Sequence, residues 1–243
     1  TLNPSGETVI LTSSAGVVLD SITCNLSTGL SHARTSDGSA QWCITNSPTP
    51  AQPNSISTCF TGFAAPVDLS VNTPFHIGPF SVVLGPNIPG TSIRYTTNGQ
   101  TPTMTDTLYS IPVTISQTSV LKARRFSNDP NILPGKIATN TYFINEPTTL
   151  PIISLTTDDN NLYGPDGIYD NYWTDWKKPV YIEYFDTLHQ LKFEQNAGIK
   201  IDGGAGGSRG NPQKSFRVEP QNDQYGDGDL SYPLIPDRAA NST

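Results

Sequence analysis

Ser92-Ile93-Arg94-Tyr95-Thr96-Thr97-Asn98-Gly99-Gln100-Thr101-Pro102-Thr103 decides the fold. A run rich in β-branched and aromatic residues reaches Asn-Gly, the strongest short turn signal, and a proline follows. That pattern is a strand closed by a turn. Runs of the same kind lie on both sides: Asn72 to Phe80, Ser81-Val82-Val83-Leu84, Tyr109-Ser110-Ile111-Pro112-Val113, Val120-Leu121-Lys122-Ala123-Arg124 and Thr141-Tyr142-Phe143-Ile144. Strands so closely spaced, with no helix between them, make a small β-sandwich.

Composition extends the β assignment to all 243 residues. There are 21 Pro and 20 Gly against only 14% charged residues, and no stretch holds apolar residues at i, i+3, i+4 and i+7 over three turns. Helix should therefore occupy less than about a tenth of the chain. Three β units are expected, 1–63, 64–146 and 147–243, with Thr61 to Pro66 as a short linker of Gly, Ala and Pro between the first two. The net charge of -7 and the pI near 4.8 repel phosphate backbones and anionic lipid, which argues against nucleic-acid binding. No run reaches the roughly 18 apolar residues of a membrane span. The expected partners are the remainder of its own polypeptide and other surface proteins or glycans.

Cys24, Cys43 and Cys59 all lie in the first quarter, without the spacing that zinc requires. Three pairings are open, as is the reduced state. Because Cys24 and Cys43 flank one hairpin-like excursion, they are the expected pair, with Cys59 unpaired or intermolecular.

In the first segment, Gly6-Glu7-Thr8-Val9-Ile10-Leu11 and Gly16-Val17-Val18-Leu19-Asp20-Ser21-Ile22 alternate apolar and polar residues with partial doubling, as sandwich strands do. They are followed by Arg34, Asp37-Gly38, Trp42, Thr49-Pro50 and Asn54. The order R-x-x-D-G…W…T-P-x-x-x-N resembles the C-terminal half of a bacterial lamin-tail domain, an immunoglobulin-like adaptor without catalytic activity. That resemblance implies that an N-terminal half precedes the segment. Arg34 and Trp42 would serve in core and rim packing.

The middle segment, through Tyr95 to Thr103, Tyr109, Pro112-Val113 and Thr141-Tyr142-Phe143, closely resembles the chitobiase C-terminal, fibronectin-type-III-associated module. Asn98 stands where that family has Asp, and both tolerate a left-handed turn before Gly99. The resemblance implies a spacer or auxiliary domain of a secreted protein, with no chemistry of its own.

After residue 150 the chain becomes more polar. Pro151-Ile152-Ile153-Ser154-Leu155-Thr156-Thr157 and Lys178 to Asp186 read as strands, and Phe193 to Ile201 should pair with Lys214 to Glu219. These runs, with Leu162-Tyr163, Asp166-Gly167-Ile168-Tyr169, Ser208-Arg209, Pro212-Gln213-Lys214-Ser215-Phe216-Arg217 and Tyr232-Pro233-Leu234, resemble the start of the spore-coat-protein-H (CotH) kinase family. The fold class is then all-β: tandem immunoglobulin-like β-sandwich modules followed by an antiparallel sheet resembling a kinase-like N-lobe. The resemblance implies the N-terminal portion of a secreted or cell-surface bacterial kinase. ATP and magnesium would belong to the parent protein, and its catalytic and metal-binding Asp residues would lie beyond Thr243. The portion itself would hold no cofactor and transfer no phosphate. An adhesion or scaffold component that binds neighbouring proteins or glycans is the alternative.

The loop Gly203 to Pro212 has neither Walker spacing, since Gln213 precedes Lys214-Ser215, nor the kinase G-x-G-x-x-G pattern, since Arg209 takes the third glycine's place. It reads as a flexible hairpin tip. Lys214 shares the parity of Phe216 and Val218, so its ammonium points to the apolar side of the sheet, where it needs an anionic partner. The kinase resemblance implies that Lys214, with Arg209, holds nucleotide phosphates; a lysine at a strand start can instead snorkel to water. His32, His76 and His189 fall in three segments and suggest no triad. Asp158, Asp159 and Asp166, and separately Asp223, Asp227 and Asp229, lack calcium-loop spacing and read as solvated acids. Tyr172, Trp173 and Trp176 form the one aromatic cluster that glycan binding could use, but core packing is the simpler expectation.

Overall fold

The computed structural model describes residues 6–24, 26, 29–54, 59–204, 207–220, 225–226, 228–229 and 232. Its regular structure is almost all strand, and the α-helix Asp159–Leu162 is a single turn. The all-β expectation is borne out. The chain divides into two compact units, residues 2–147 and 148–243.

The second boundary falls where the composition changes, but the first two segments lie in one unit. The stretch expected as a linker is itself a strand: Gly62–Phe63 pairs in parallel with Ile132–Leu133. Thr61 N–H donates to Asn131 O and Ala64 N–H to Leu133 O, each at 2.8 Å. Small residues here serve close approach rather than flexibility, since a Cβ on Gly135 would lie 2.8 Å from Ala64 O and 3.0 Å from Ala65 O.

The main sheet of this unit runs Thr107–Leu108, Thr91–Thr96, Ser119–Ser127, Ala138–Ile144, Phe75–His76. Neighbours are antiparallel except the last pair. Two short ladders, Phe80–Val82 with Val113–Ile115 and Asp68–Leu69 with Leu84–Gly85, share its core. Val82, Leu84, Val113 and Ile115 meet Ile93, Leu121, Ala123 and Tyr142 there. Tyr142 is fully buried, and its hydroxyl donates to Val71 O at 2.5 Å. At the Asn-Gly turn the left-handed residue is Gly99, with φ 79°. Asn98 acts through its side chain, whose Oδ1 accepts from Gln100 N–H at 3.2 Å.

Arg125 belongs to the same unit and is 1% exposed. Its Nε donates to Ala65 O at 3.1 Å, Nη1 to Thr91 Oγ1 at 3.0 Å and Nη2 to Pro86 O at 2.6 Å. Burial lowers its pKa and the nearby Asp68 charge opposes that shift, but a guanidinium remains cationic. One side chain thus ties two loop carbonyls and the first residue of the neighbouring strand to the longest strand of the sandwich.

The first segment is two hairpins, Glu7–Thr12 with Val18–Cys24 and Ser31–Arg34 with Trp42–Thr45. The doubled apolar positions of the first place side chains on both faces, and Val9, Ile10, Leu11, Val17, Val18 and Leu19 are exposed. In the second, the residues of the R-x-x-D-G…W…T-P-x-x-x-N order meet. The Arg34 guanidinium lies 4.4 Å from the Trp42 ring centroid and pairs with Asp20. Asn54 N–H donates to Asp37 Oδ1 at 2.9 Å, and Thr49 Oγ1 donates to Asn54 Oδ1 at 3.1 Å.

The disulfide corrects the expected pairing. Cys43 is bonded to Cys59, with Cα atoms 5.4 Å apart, and Cys24 is a free thiol. Cys24 sits opposite Glu7 on the other hairpin. Ile44 and Phe60 instead exchange both backbone hydrogen bonds, at 2.9 and 2.8 Å, which brings residues 43 and 59 together.

In residues 148–243 one antiparallel sheet runs Ile152–Thr156, Lys178–Phe185, Leu191–Asp202, Ser215–Glu219 in chain order. On one face Val180, Ile182, Ala197, Ile199 and Ile201 are buried with Ile168, and Tyr169, Tyr172 and Val218 pack against them. Gly167 makes that crossing possible, because a Cβ there would lie 2.3 Å from Tyr163 N. The other face carries charge pairs: Glu219 with Lys177 and Lys200, and Arg217 with Asp202 at 2.9 Å. The Lys177 stem crosses Gly198, where a Cβ would lie 2.3 Å from its Cδ.

Three outcomes are expected. Arg125→Met leaves Ala65 O, Pro86 O and Thr91 Oγ1 short of a donor; after credit for relieved charge burial, urea denaturation should show a loss of about 2 kcal/mol. An unchanged midpoint would show that Arg125 does not anchor these loops. Non-reducing peptide mapping should recover a Cys43–Cys59 peptide, with Cys24 alkylated without reductant. Finally, hydrogen bonds from Lys177 and then Lys200 hold the Glu219 pKa below its usual 4.5. A lowered carboxylate stabilises fully above its unfolded pKa, and that contribution is lost as pH falls through the folded value. Glu219→Gln should therefore cost roughly 1 kcal/mol at neutral pH in this half-screened cluster, and the difference from wild type should close as pH drops below the carboxylate range.

Candidate functional site

The strand Leu191–Asp202 ends in Gly203, whose φ of 97° only glycine adopts readily. A Cβ there would also lie 2.6 Å from Ser208 Oγ. The chain passes through the 3-10 turn Ser208–Gly210 and re-enters the sheet after Lys214. Residues 205 and 206 lie outside the described residues.

Arg209 fixes the remainder of this loop, which therefore is not the slack tip expected. Its Nε donates to Gly203 O at 2.9 Å, Nη1 to Tyr172 O at 2.8 Å and Thr174 O at 2.9 Å, and Nη2 to Ile201 O at 3.2 Å and Asp175 Oδ1 at 3.1 Å. A guanidinium has five N–H donors, and all five are engaged by protein oxygens. Arg209 is a clamp between the hairpin and the 163–175 loop.

Lys214 lies on the face its parity demands, since Ile201 pairs with Phe216 and Ile199 with Val218. Its Nζ donates to Asn211 O at 2.9 Å and Arg209 O at 3.1 Å. The ammonium stands 4.0 Å from the Tyr172 ring centroid and 5.2 Å from that of Tyr169. Among the described residues no carboxylate pairs with it. In place of the expected anionic partner it has two carbonyls and two ring faces, which hold a cation without neutralising it. The Tyr169 hydroxyl donates to Pro212 O and completes the cradle.

The histidines have separate surroundings. His32 has a buried Nδ1 without a partner, and burial lowers its pKa. His76 stacks on Phe80 at 3.7 Å between ring centroids, and its Nε2 donates to Thr73 O at 2.6 Å. His189 Nε2 donates to Thr148 O at 2.9 Å in the other unit. Asp158 precedes the short helix that begins at Asp159, and Asp166 is exposed in a turn. Asp229 is exposed, and Asp223 and Asp227 lie outside the described residues, as do Pro233 and Leu234. Among the described residues no cluster of three or more His, Cys, Asp or Glu is placed to hold a metal ion.

Two features escaped the residue pattern. Glu219 between Lys177 and Lys200 depends on long-range register, which spacing alone does not reveal. Trp173 and Trp176, expected in the core, are exposed, because the core-facing aromatic residues of that loop are Tyr169 and Tyr172.

Comparison with known proteins agrees with the middle segment. The family model of the chitobiase/beta-hexosaminidase C-terminal domain matches residues 77–131, which include the Asn98-Gly99 turn and the Arg125 strand. No curated protein and no solved structure matches the chain. No helix among the described residues is long and apolar enough to cross a membrane. Residues 77–131 are thus similar to a β domain that fits a non-catalytic module.

Proposed function

We propose that the chain is the non-catalytic N-terminal portion of a secreted or cell-surface CotH-like protein kinase, with adaptor β modules followed by strands of the nucleotide-binding lobe. Support for the adaptor part is the domain match at 77–131, the motif contacts around Arg34 and Trp42, and a disulfide of the kind formed in oxidising compartments.

The single observation that carries the kinase-lobe part is the Lys214 ammonium, which is pre-organised, half-buried and, among the described residues, unpaired by any carboxylate. A nucleotide polyphosphate suits such a cation. Arg209 does not fit that role, because each of its donors already has a protein acceptor; it positions Lys214, whose Nζ donates to the Arg209 carbonyl. ATP would bring a transferable phosphoryl group to Lys214. Magnesium ligands are not assigned to any residue of this chain.

Calorimetric titration with ATP and magnesium tests this. The chain should bind weakly, on the order of 1 mM, and Lys214→Met, which keeps the stem over Tyr172 and removes the charge, should abolish the heat without changing the fold. Arg209→Ala should instead lower thermal stability by about 2 kcal/mol through the carbonyls it leaves unpaired. Equal ATP affinity in wild type and Lys214→Met would remove Lys214 from the nucleotide site. Radiolabelled ATP with magnesium or manganese should give no incorporation above a buffer blank, and autophosphorylation of the chain would overturn its non-catalytic assignment.

A second role, extracellular adhesion through glycans or neighbouring proteins, is favoured by the exposure of Trp173 and Trp176.

A further inference from the structure

Three large aromatic residues of residues 163–176 face solvent: Trp173 is 65% exposed, Tyr163 52% and Trp176 42%. Isolated exposed apolar residues are ordinary, but these sit on one loop that is held unusually firmly. The Asn171 Nδ2 donates to Gly167 O at 2.9 Å, Pro165 O at 3.0 Å and Gly164 O at 3.2 Å. Gly164 N–H donates to Asp170 Oδ2 at 2.7 Å, and Thr174 Oγ1 to Asn171 O at 2.9 Å. Arg209 clamps the carbonyls of Tyr172 and Thr174, and the Tyr169 hydroxyl is tied to Pro212 O. The tryptophans are therefore displayed by a fixed scaffold. Their display is not a by-product of a slack loop, and the entropy cost of ordering the site is largely met before any ligand arrives.

We propose that Tyr163, Trp173 and Trp176 form a platform for a neutral oligosaccharide. This deepens the glycan role named above and is independent of nucleotide binding at Lys214. The chemistry selects the ligand class. A pyranose ring offers a face of polarised C–H groups, which the negative face of an aromatic ring attracts, and a rim of hydroxyls, which need polar partners. The loop supplies both in alternation, Tyr172-Trp173-Thr174-Asp175-Trp176. The Asp175 side chain is 86% exposed; Arg209 holds its Oδ1, which leaves Oδ2 to accept from a hydroxyl. Trp173 packs edge-on against Tyr172, and the Lys178 ammonium stands 5.7 Å from the Trp176 ring centroid, so the rings sit among polar and charged groups, Thr174, Asp175 and Lys178, rather than in an apolar patch of the kind a protein-docking hot spot needs. Asp166, Asp170 and Asp175 are all exposed in the loop, and with the net charge of -7 they repel acidic glycans and anionic lipid, so the ligand is uncharged.

The test is titration of the full chain with neutral hexasaccharides of glucose, xylose and N-acetylglucosamine, with an oligogalacturonate as acidic control, followed by tryptophan fluorescence and calorimetry. At least one neutral hexasaccharide should bind and the acidic one should not. Trp173→Ala and Trp176→Ala should each weaken binding about tenfold, with the fold retained because neither side chain belongs to the buried core. Lys214→Met should leave sugar binding intact and Trp173→Ala should leave ATP binding intact, so failure of either site is read separately. No neutral-sugar binding up to about 10 mM, or binding that survives the double tryptophan variant, would overturn the proposal. So would concentration-dependent self-association that Trp173→Ala abolishes, since the rings would then be covered by a second copy.

Discussion

The guanidinium of Arg125 solves the problem that a chain of very short strands sets for itself. Buried peptide groups must find partners, yet several ladders here are only two or three residues long, such as Asp68–Leu69 with Leu84–Gly85. Loop carbonyls between such ladders have no strand to pair with. Arg125 reaches Ala65, Pro86 and Thr91 from the longest strand of the sandwich, and only a planar fork with several fixed donors can do this from one position. A lysine would offer a compact charge and could not span the same three groups.

Arg209 repeats the device in residues 148–243. It gathers Gly203, Tyr172, Thr174 and Ile201 carbonyls together with the Asp175 carboxylate, where a Gly-rich hairpin meets a loop with almost no regular structure. The kinase resemblance gives Arg209 to nucleotide phosphates, and nothing in the sequence singles out Arg125. Backbone accounting assigns them to the protein itself, and Lys214, held by two carbonyls and two ring faces, has no carboxylate partner among the described residues.

How much the sequence discloses depends on the range of the interaction. The Asn98-Gly99 turn, the pairing of the strand around Ile199 with that around Val218 and the face on which Lys214 lies all follow from local period and turn chemistry. The Cys43–Cys59 bond does not, because it depends on the bridge between Ile44 and Phe60 across a loop whose path spacing cannot specify. Nor does the strand at Gly62–Phe63, whose small residues read as a linker until Gly135 lets the backbone approach. In the segment Tyr169 to Trp176 the sequence offers four aromatic residues, and only the fold decides that Tyr169 and Tyr172 turn inward while Trp173 and Trp176 turn out.

The two faces of the last sheet show why the candidate chemistry gathers at one corner. On the outer face the described charges at the last strand pair have neighbours of opposite sign: Glu219 takes Lys177 and Lys200, and Asp202 takes Arg217. Hydrogen bonds from the Gly203 backbone first, and then from Arg217, lower the Asp202 pKa below its usual value, which is the mark of charges satisfied within the protein. On the inner face Lys214 has only carbonyl dipoles and the π faces of Tyr169 and Tyr172. The ring of Tyr172 also packs edge-on against Trp173, 5.3 Å between centroids, and its carbonyl is gripped by Arg209. One residue thus connects the open cation, the displayed tryptophan and the clamp. The corner is held because all three meet at Tyr172, through its ring and its carbonyl, and that fixing keeps a charge and an aromatic surface exposed that free side chains would otherwise fold away.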